Sequence, residues 1–169
     1  MKVGFIGLGS QGGPMARRIG APTVRSRSRP RRSASLEPFA DTPAKVAGSP
    51  AELAAASDLV CLCVVGDADV AEITGGEHGL LAAMKPGGVI AVHSTVHPNT
   101  CRELAKRAGS KGVSVIDAPV SGGGVAASEE RLLVMVGGDA DVVERCRPVF
   151  ETYADPAKSV EREAVPASA

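Results

Sequence analysis

Residues 3–12 read Val3-Gly4-Phe5-Ile6-Gly7-Leu8-Gly9-Ser10-Gln11-Gly12. An apolar run of strand length passes directly into a G-x-G-x-x-G turn, and helical period follows from about Ser10 to Ile19, with Met15 and Ile19 one turn apart on the same face. Strand, turn and helix in that order give each glycine a physical task. Gly7 permits the tight turn, Gly9 lets the backbone approach a pyrophosphate with no Cβ in the way, and Gly12 lets the helix pack closely on the strand. The first helical N–H groups offer a partial positive charge to phosphates. Leu8, Ser10 and Gln11 complete the candidate dinucleotide-binding turn. A glycine turn that binds nothing is the alternative, and the flanking strand and helix weigh against it.

Outward from this turn, apolar runs alternate with segments of helical period, the pattern of βαβ units. Strands are expected at Lys2–Gly7, Lys45–Ala47, Asp58–Val65, Val89–His93, from Val113 to Ile116 and beyond, and at Leu132–Val136. Helices are expected from Pro50, at Ala68–Ile73, Gly79–Met84, Pro98–Ala108 and Ala140–Phe150. Ser49 before Pro50, with Glu52 three residues on, forms a capping box. The fold class that follows is α/β, Rossmann-type and doubly wound, a mostly parallel sheet with helices on both faces.

Composition agrees with that class. The 169 residues are 44% hydrophobic and 22% charged with zero formal net charge, which names no polyanionic partner and argues against a nucleic-acid-coating or disordered chain. Aromatics are only 2%, so small aliphatic side chains must fill the core. Cys61 and Cys63 lie two apart in one apolar run and read as core filler. Cys101 and Cys146 stand alone, so no metal site is expected. No stretch reaches the ~20 apolar residues of a membrane span, and Met1-Lys2 leads straight into a strand with no signal peptide between. The expectation is a cytoplasmic protein with reduced thiols and no membrane or nucleic-acid partner.

Cofactor choice is usually read at the end of the second strand, where an acidic residue holds the ribose 2′-OH of NAD and a basic one accommodates the 2′-phosphate of NADP. No Asp or Glu occurs before Glu37, whereas Arg25, Arg27 and Arg29 fall in that region. Charge complementarity therefore favours NADP, with NAD as the alternative and a solvated basic loop as the bland reading. The run Arg25–Arg32 carries arginine where a buried strand should end, and arginine on both faces is not core.

A second glycine cluster, Asp117-Ala118-Pro119-Val120-Ser121-Gly122-Gly123-Gly124, stands where a strand ends. Together with the first turn, the Met-Ala that follows it and Ser94-Thr95 after a strand, this cluster resembles the β-hydroxyacid dehydrogenase family. That family includes 3-hydroxyisobutyrate dehydrogenases and tartronate semialdehyde reductases and is related to 6-phosphogluconate dehydrogenase. The resemblance covers about residues 1–19 and 36–155. It implies that Ser121, Gly122 and Gly123 hold the substrate's carboxylate or hydroxyl near the nicotinamide, and that Leu8, Val64, Val65 and Thr95 line the nucleotide. Ordinary strand-end packing is the alternative for the two valines. His93 replaces the acidic residue often found before Ser-Thr in the family and has no assigned role.

The resemblance also implies a general acid/base lysine in a K-x-x-N arrangement on a long helix after this domain, and an all-helical second domain. Only Lys158 follows Ser121, and Asn99 is the one asparagine. The expected organisation is a dinucleotide-binding domain at residues 1–155, with an anomalous segment at 20–35, a frayed tail at 156–169 and the helical domain absent. A disturbed reading frame would account for both irregular segments. The expected function is an NADP(H)-binding domain of an oxidoreductase acting on a β-hydroxyacid or its semialdehyde, incomplete for catalysis alone. A non-catalytic dinucleotide-binding module and a damaged remnant remain as alternatives.

Overall fold

The computed structural model describes residues 1–20, 23–25, 36–155 and 160–162, with the backbone alone described at 23–25 and 160–162. Strand β1 (Val3–Ile6) leads through the glycine turn into α1 (Gly12–Arg18), and β2 (Thr23–Arg25) follows. A 3₁₀ turn at Glu37–Phe39 precedes β3 (Lys45–Val46), α2 (Pro50–Ala55), β4 (Leu59–Leu62), α3 (Asp67–Thr74) and α4 (Leu80–Ala83). Then come β5 (Val89–Val92), α5 (Pro98–Gly109), β6 (Ser114–Asp117) and β7 (Val120–Ser121). The order closes with α6 (Gly123–Ser128), β8 (Leu133–Gly137), α7 (Ala140–Phe150) and β9 (Val160–Arg162).

Strands β3, β2, β1, β4, β5 and β6 lie side by side in that order, all parallel. β8 turns back antiparallel beside β6, and β9 pairs parallel along β8. β1 and β4 are neighbours although β2 and β3 intervene in the chain, so the winding reverses between them. The carboxyl ends of β1 and β4 therefore flank the topological switch point, where open α/β sheets hold their ligands. The registers Asp117↔Gly137 and Val120↔Val134 show that β7 continues β6 along β8, three residues forward on one side matching three back on the other. Between the two strands, at Ala118-Pro119, the chain stays tied to β8 by the bond from the Met135 N–H to the Pro119 carbonyl at 3.0 Å.

The central strands are buried on both faces, as parallel strands covered by helices must be. On one face Phe5, Leu59, Cys61 and Ala91 pack with Met15 and Ala16 of α1, Ala126 and Ala127 of α6, and Cys146 and Phe150 of α7. On the other, Ile6, Val60, Leu62 and Ile90 pack with Leu53 of α2, Val70 of α3, Leu80 of α4 and Leu104 of α5. The alternation along β1 and β4 is the period-2 pattern of a strand. This is the mostly parallel, two-faced α/β architecture read from the sequence.

Local signals also operate. Ser49 Oγ accepts from the Glu52 N–H at 3.0 Å, while the Glu52 carboxylate reaches one residue past the cap to accept from the Gly48 N–H at 2.6 Å. Three expectations need correction. A second strand is present at Thr23–Arg25, placed between β1 and β3, because only its terminal residue is arginine. Part of the segment expected to fray, Val160–Arg162, forms β9, in parallel register with Met135, Val136 and Gly137 of β8. After Ser121 the chain forms the short helix α6, an element absent from the expected helices. Among the described residues, no helix is long and apolar enough to cross a membrane.

Candidate dinucleotide site

The glycine turn is shaped by its contacts with β4. Gly7 has φ +100°, and a Cβ there would fall on the Cys63 carbonyl oxygen and lie 2.6 Å from its carbon. A Cβ on Gly12 would fall on the Gly7 carbonyl oxygen and lie 3.1 Å from the Cys63 Cβ. At Gly9, by contrast, a Cβ would meet no atom of the described residues beyond its chain neighbours within 4 Å, so the outer side of the turn presents bare backbone. The tasks assigned to Gly7 and Gly12 thus have direct steric counterparts, and the open face at Gly9 suits the close approach of a phosphate chain. Leu8 is buried beneath the turn, Ser10 is exposed and Gln11 half-buried.

The other motif loops are fastened to this turn and to one another. After β4, the Val64 N–H donates to Ser94 Oγ at 2.8 Å, and the Val65 N–H donates to Asp69 Oδ2 at 3.0 Å. These bonds leave the Val65 side chain 88% exposed at the rim. After β5, Thr95 is exposed, and the His97 N–H donates to Asp67 Oδ1 at 2.9 Å, an oxygen that also accepts from the Thr100 hydroxyl. The Thr100 hydroxyl, followed by the His97 N–H, holds the Asp67 carboxyl below its ordinary range. After β7, Ser121, Gly122 and Gly123 are exposed, with φ +129° and +74° at the two glycines. The next residue, Gly124, is seated on the turn itself, since a Cβ there would fall on the Ser10 carbonyl oxygen.

A cavity of about 760 Å³ opens beside the turn, lined by Leu8, Gly9 and Ser10 together with Pro14, Arg17 and Phe39. It does not take in Val64, Val65, Thr95 or Ser121, so the predicted residues share one edge of the sheet rather than one enclosed pocket. Arg25 ends β2 opposite Ile6, next to the strand that feeds the turn. Arg27 and Arg29 lie outside the described residues. Arg17, on α1, is tied to Asp41 by a two-pronged ion pair at 2.9 and 3.2 Å, in which the Asp41 carboxylate raises the guanidinium pKa.

Reading the sequence alone quoted Ser94 and Gly124 within motifs but missed that they, with Asp67 and Asp69, hold these loops in place, and left His93 without a role. His93 is 2% exposed beneath them, with Nδ1 2.7 Å from the Ala118 carbonyl oxygen and Nε2 3.1 Å from the Tyr153 hydroxyl. Burial lowers its pKa to about 4, so the ring is neutral near pH 7. Burial also pushes the thiols of Cys63 and Cys146 up to about 11, which removes them as nucleophiles. Among the described residues, no three His, Cys, Asp or Glu side chains gather into a metal site.

Comparison with known proteins agrees with this geometry. Residues 2–162 match the family described as the NAD binding domain of 6-phosphogluconate dehydrogenase, a span that runs across residues 20–35 and includes β9. An uncharacterized oxidoreductase of Mycobacterium tuberculosis is 37% identical over 157 residues, which is 90% of this chain and 52% of the relative. The mitochondrial 3-hydroxyisobutyrate dehydrogenase of Mus musculus is 35% identical over 152 residues, 88% of this chain and 44% of the relative. Psf3, solved in complex with NADP+ and 2-OPP, superimposes with a TM-score of 0.86 at 27% identity, covering 98% of this chain and 58% of that one. The chain spans about half the length of the curated relatives it matches. It belongs to the family of the NAD binding domain of 6-phosphogluconate dehydrogenase, whose members are oxidoreductases.

Proposed function

We propose that residues 1–155, extended by β9, are the NADP(H)-binding domain of an oxidoreductase that moves a hydride between nicotinamide and a β-hydroxyacid or its semialdehyde. The observation that carries this reading is the interlocking of three motif loops at the switch point. Gly7 packs on Cys63, Ser94 holds Val64, and Gly124 rests on Ser10. In this reading the turn from Gly7 to Gly12 receives the pyrophosphate, Val64, Val65 and Thr95 line the nicotinamide side, and Arg25 and Arg27 attract the 2′-phosphate. Ser121, Gly122 and Gly123 orient the substrate's carboxylate or hydroxyl, with donors arranged in advance around the oxygen where charge develops. When bound, the nicotinamide supplies or accepts the hydride. The general acid/base lysine is expected from the part of the longer relatives that this chain does not span.

The 2′-phosphate assignment has a direct test. Charge-assisted hydrogen bonds from arginine to phosphate are worth about 1.5–3 kcal/mol, or roughly 10- to 150-fold in affinity. Replacing both Arg25 and Arg27 with Ala is expected to weaken NADPH by about that factor and leave NADH unchanged in calorimetric titration. An unchanged ratio of the two affinities removes both arginines from the site. An unmodified chain that prefers NADH overturns the choice of cofactor.

A further inference from the structure

We propose that His93 is a positioning residue, which holds the break between β6 and β7, and with it the Ser121–Gly123 segment, in register with the Ser94–Thr95 loop. This rests on the reading of those two segments as the substrate and nicotinamide sides of the site. The ladder between β5 and β6 ends at Val92↔Asp117, with one further bond from the Ala118 N–H to the Val92 carbonyl at 2.9 Å. Pro119 has no N–H and cannot extend it. The Ala118 carbonyl, inside a residue with no exposed surface, then needs a donor, and His93 Nδ1 lies 2.7 Å from it.

The surroundings fix how that bond is made. A carbonyl only accepts, so Nδ1 carries the proton, and the bare Nε2 accepts from the Tyr153 hydroxyl at 3.1 Å. Phe5 stacks on the ring at 6.5 Å between centroids, and Phe150 and Tyr153 meet it edge-on at 5.6 and 5.7 Å. The imidazole is thus confined in plane, in rotation and in tautomer. Its backbone is anchored as well, because the His93 N–H donates to the Leu62 carbonyl at 2.8 Å. The next residue, Ser94, holds the Val64 N–H. One residue therefore links the carboxyl ends of β4, β5 and β6, and holds the residue before Pro119; the Pro119 carbonyl accepts from the Met135 N–H at 3.0 Å and opens the pairing that Val120 and Ser121 continue along β8.

A filler role and a positioning role differ in which nitrogen matters. Asn at position 93 places its amide donor where Nδ1 stands, while Gln places its amide near Nε2. His93→Asn and His93→Gln, made in the full chain, are compared with the unmodified protein by amide hydrogen exchange and by titration with NADPH and with 2′,5′-ADP. The latter probes only the adenosine side. Expected for His93→Gln is about tenfold faster exchange over residues 118–124 with residues 7–12 unchanged, and about tenfold weaker NADPH with 2′,5′-ADP unaffected. Expected for His93→Asn is exchange and NADPH affinity near those of the unmodified protein, although its melting temperature falls with the Tyr153 bond. Equal exchange in both variants, or faster exchange at 118–124 in His93→Asn, overturns the proposal. If His93→Gln does not fold, the exchange of His93→Asn against the unmodified protein decides alone. Absence of NADPH binding in the unmodified protein overturns the proposed function instead, and the exchange comparison still decides the role of His93.

Discussion

Gly7→Ala is expected to destabilise the protein by about 2–6 kcal/mol and to abolish measurable cofactor binding. Two costs combine at this position. The backbone stands at φ +100°, which a residue with a Cβ adopts only under strain of ~1–3 kcal/mol. The added Cβ also collides with the main-chain carbonyl of Cys63, and no rotamer change relieves a clash with backbone. Overpacking of that kind adds ~1–3 kcal/mol. Cys63 cannot retreat, because its N–H is bonded to the Ile6 carbonyl at 2.9 Å. Against a total stability of ~5–15 kcal/mol, a melting temperature lower by about 10 °C is expected in scanning calorimetry. A variant that melts within two or three degrees of the unmodified protein would show that the turn is not wedged against β4.

Gly124→Ala is expected to weaken NADPH by about 10- to 100-fold while the fold survives. Position 124 lies in α6 with a backbone that alanine accepts, so conformational strain plays no part. The collision alone acts, since the new Cβ falls on the Ser10 carbonyl oxygen and lies 3.2 Å from its carbon. Relief requires α6 or the turn to shift, at a cost of ~1–3 kcal/mol. Moving the turn disturbs the backbone proposed to meet the pyrophosphate. Gly109→Ala, at the end of α5, where a Cβ would meet no atom of the described residues outside its own helix backbone and chain neighbours within 4 Å, serves as the control and is expected to be neutral or slightly stabilising. Calorimetric titration of both variants checks the pair. NADPH affinity in Gly124→Ala equal to that of the control would separate the second glycine cluster from the first.

The fold was legible because its signals are local and repeated. Val3–Ile6 before a glycine turn, the run around Val60, and Ser49 with Pro50 and Glu52 each declare their element without reference to distant residues. β2 was obscured by the arginines that follow it, and β9 because its pairing depends on β8 rather than on its own pattern. α6 was hidden by glycines at its start, which carry no periodic signal and little helix propensity. Among the candidate site residues, the glycines of the first turn could be named from spacing, and Ser121, Gly122 and Gly123 from the family resemblance. The contacts of Asp67, Ser94 and His93 could not, because their partners lie 25 or more residues away. One clue was present for His93: Pro119 directly after a buried strand residue removes a donor and leaves a carbonyl that some neighbouring side chain must satisfy.

The central claim is that the carboxyl edge between β1 and β4 binds a nicotinamide dinucleotide, NADP(H) in preference to NAD(H). The most direct test is calorimetric titration of the unmodified chain with NADPH and with NADH, combined with thermal denaturation at the same concentrations, because a ligand that binds only the folded state raises its stability. The account predicts saturable binding at one site, tighter for NADPH, with a matching rise in melting temperature. No heat and no shift with either cofactor would contradict it.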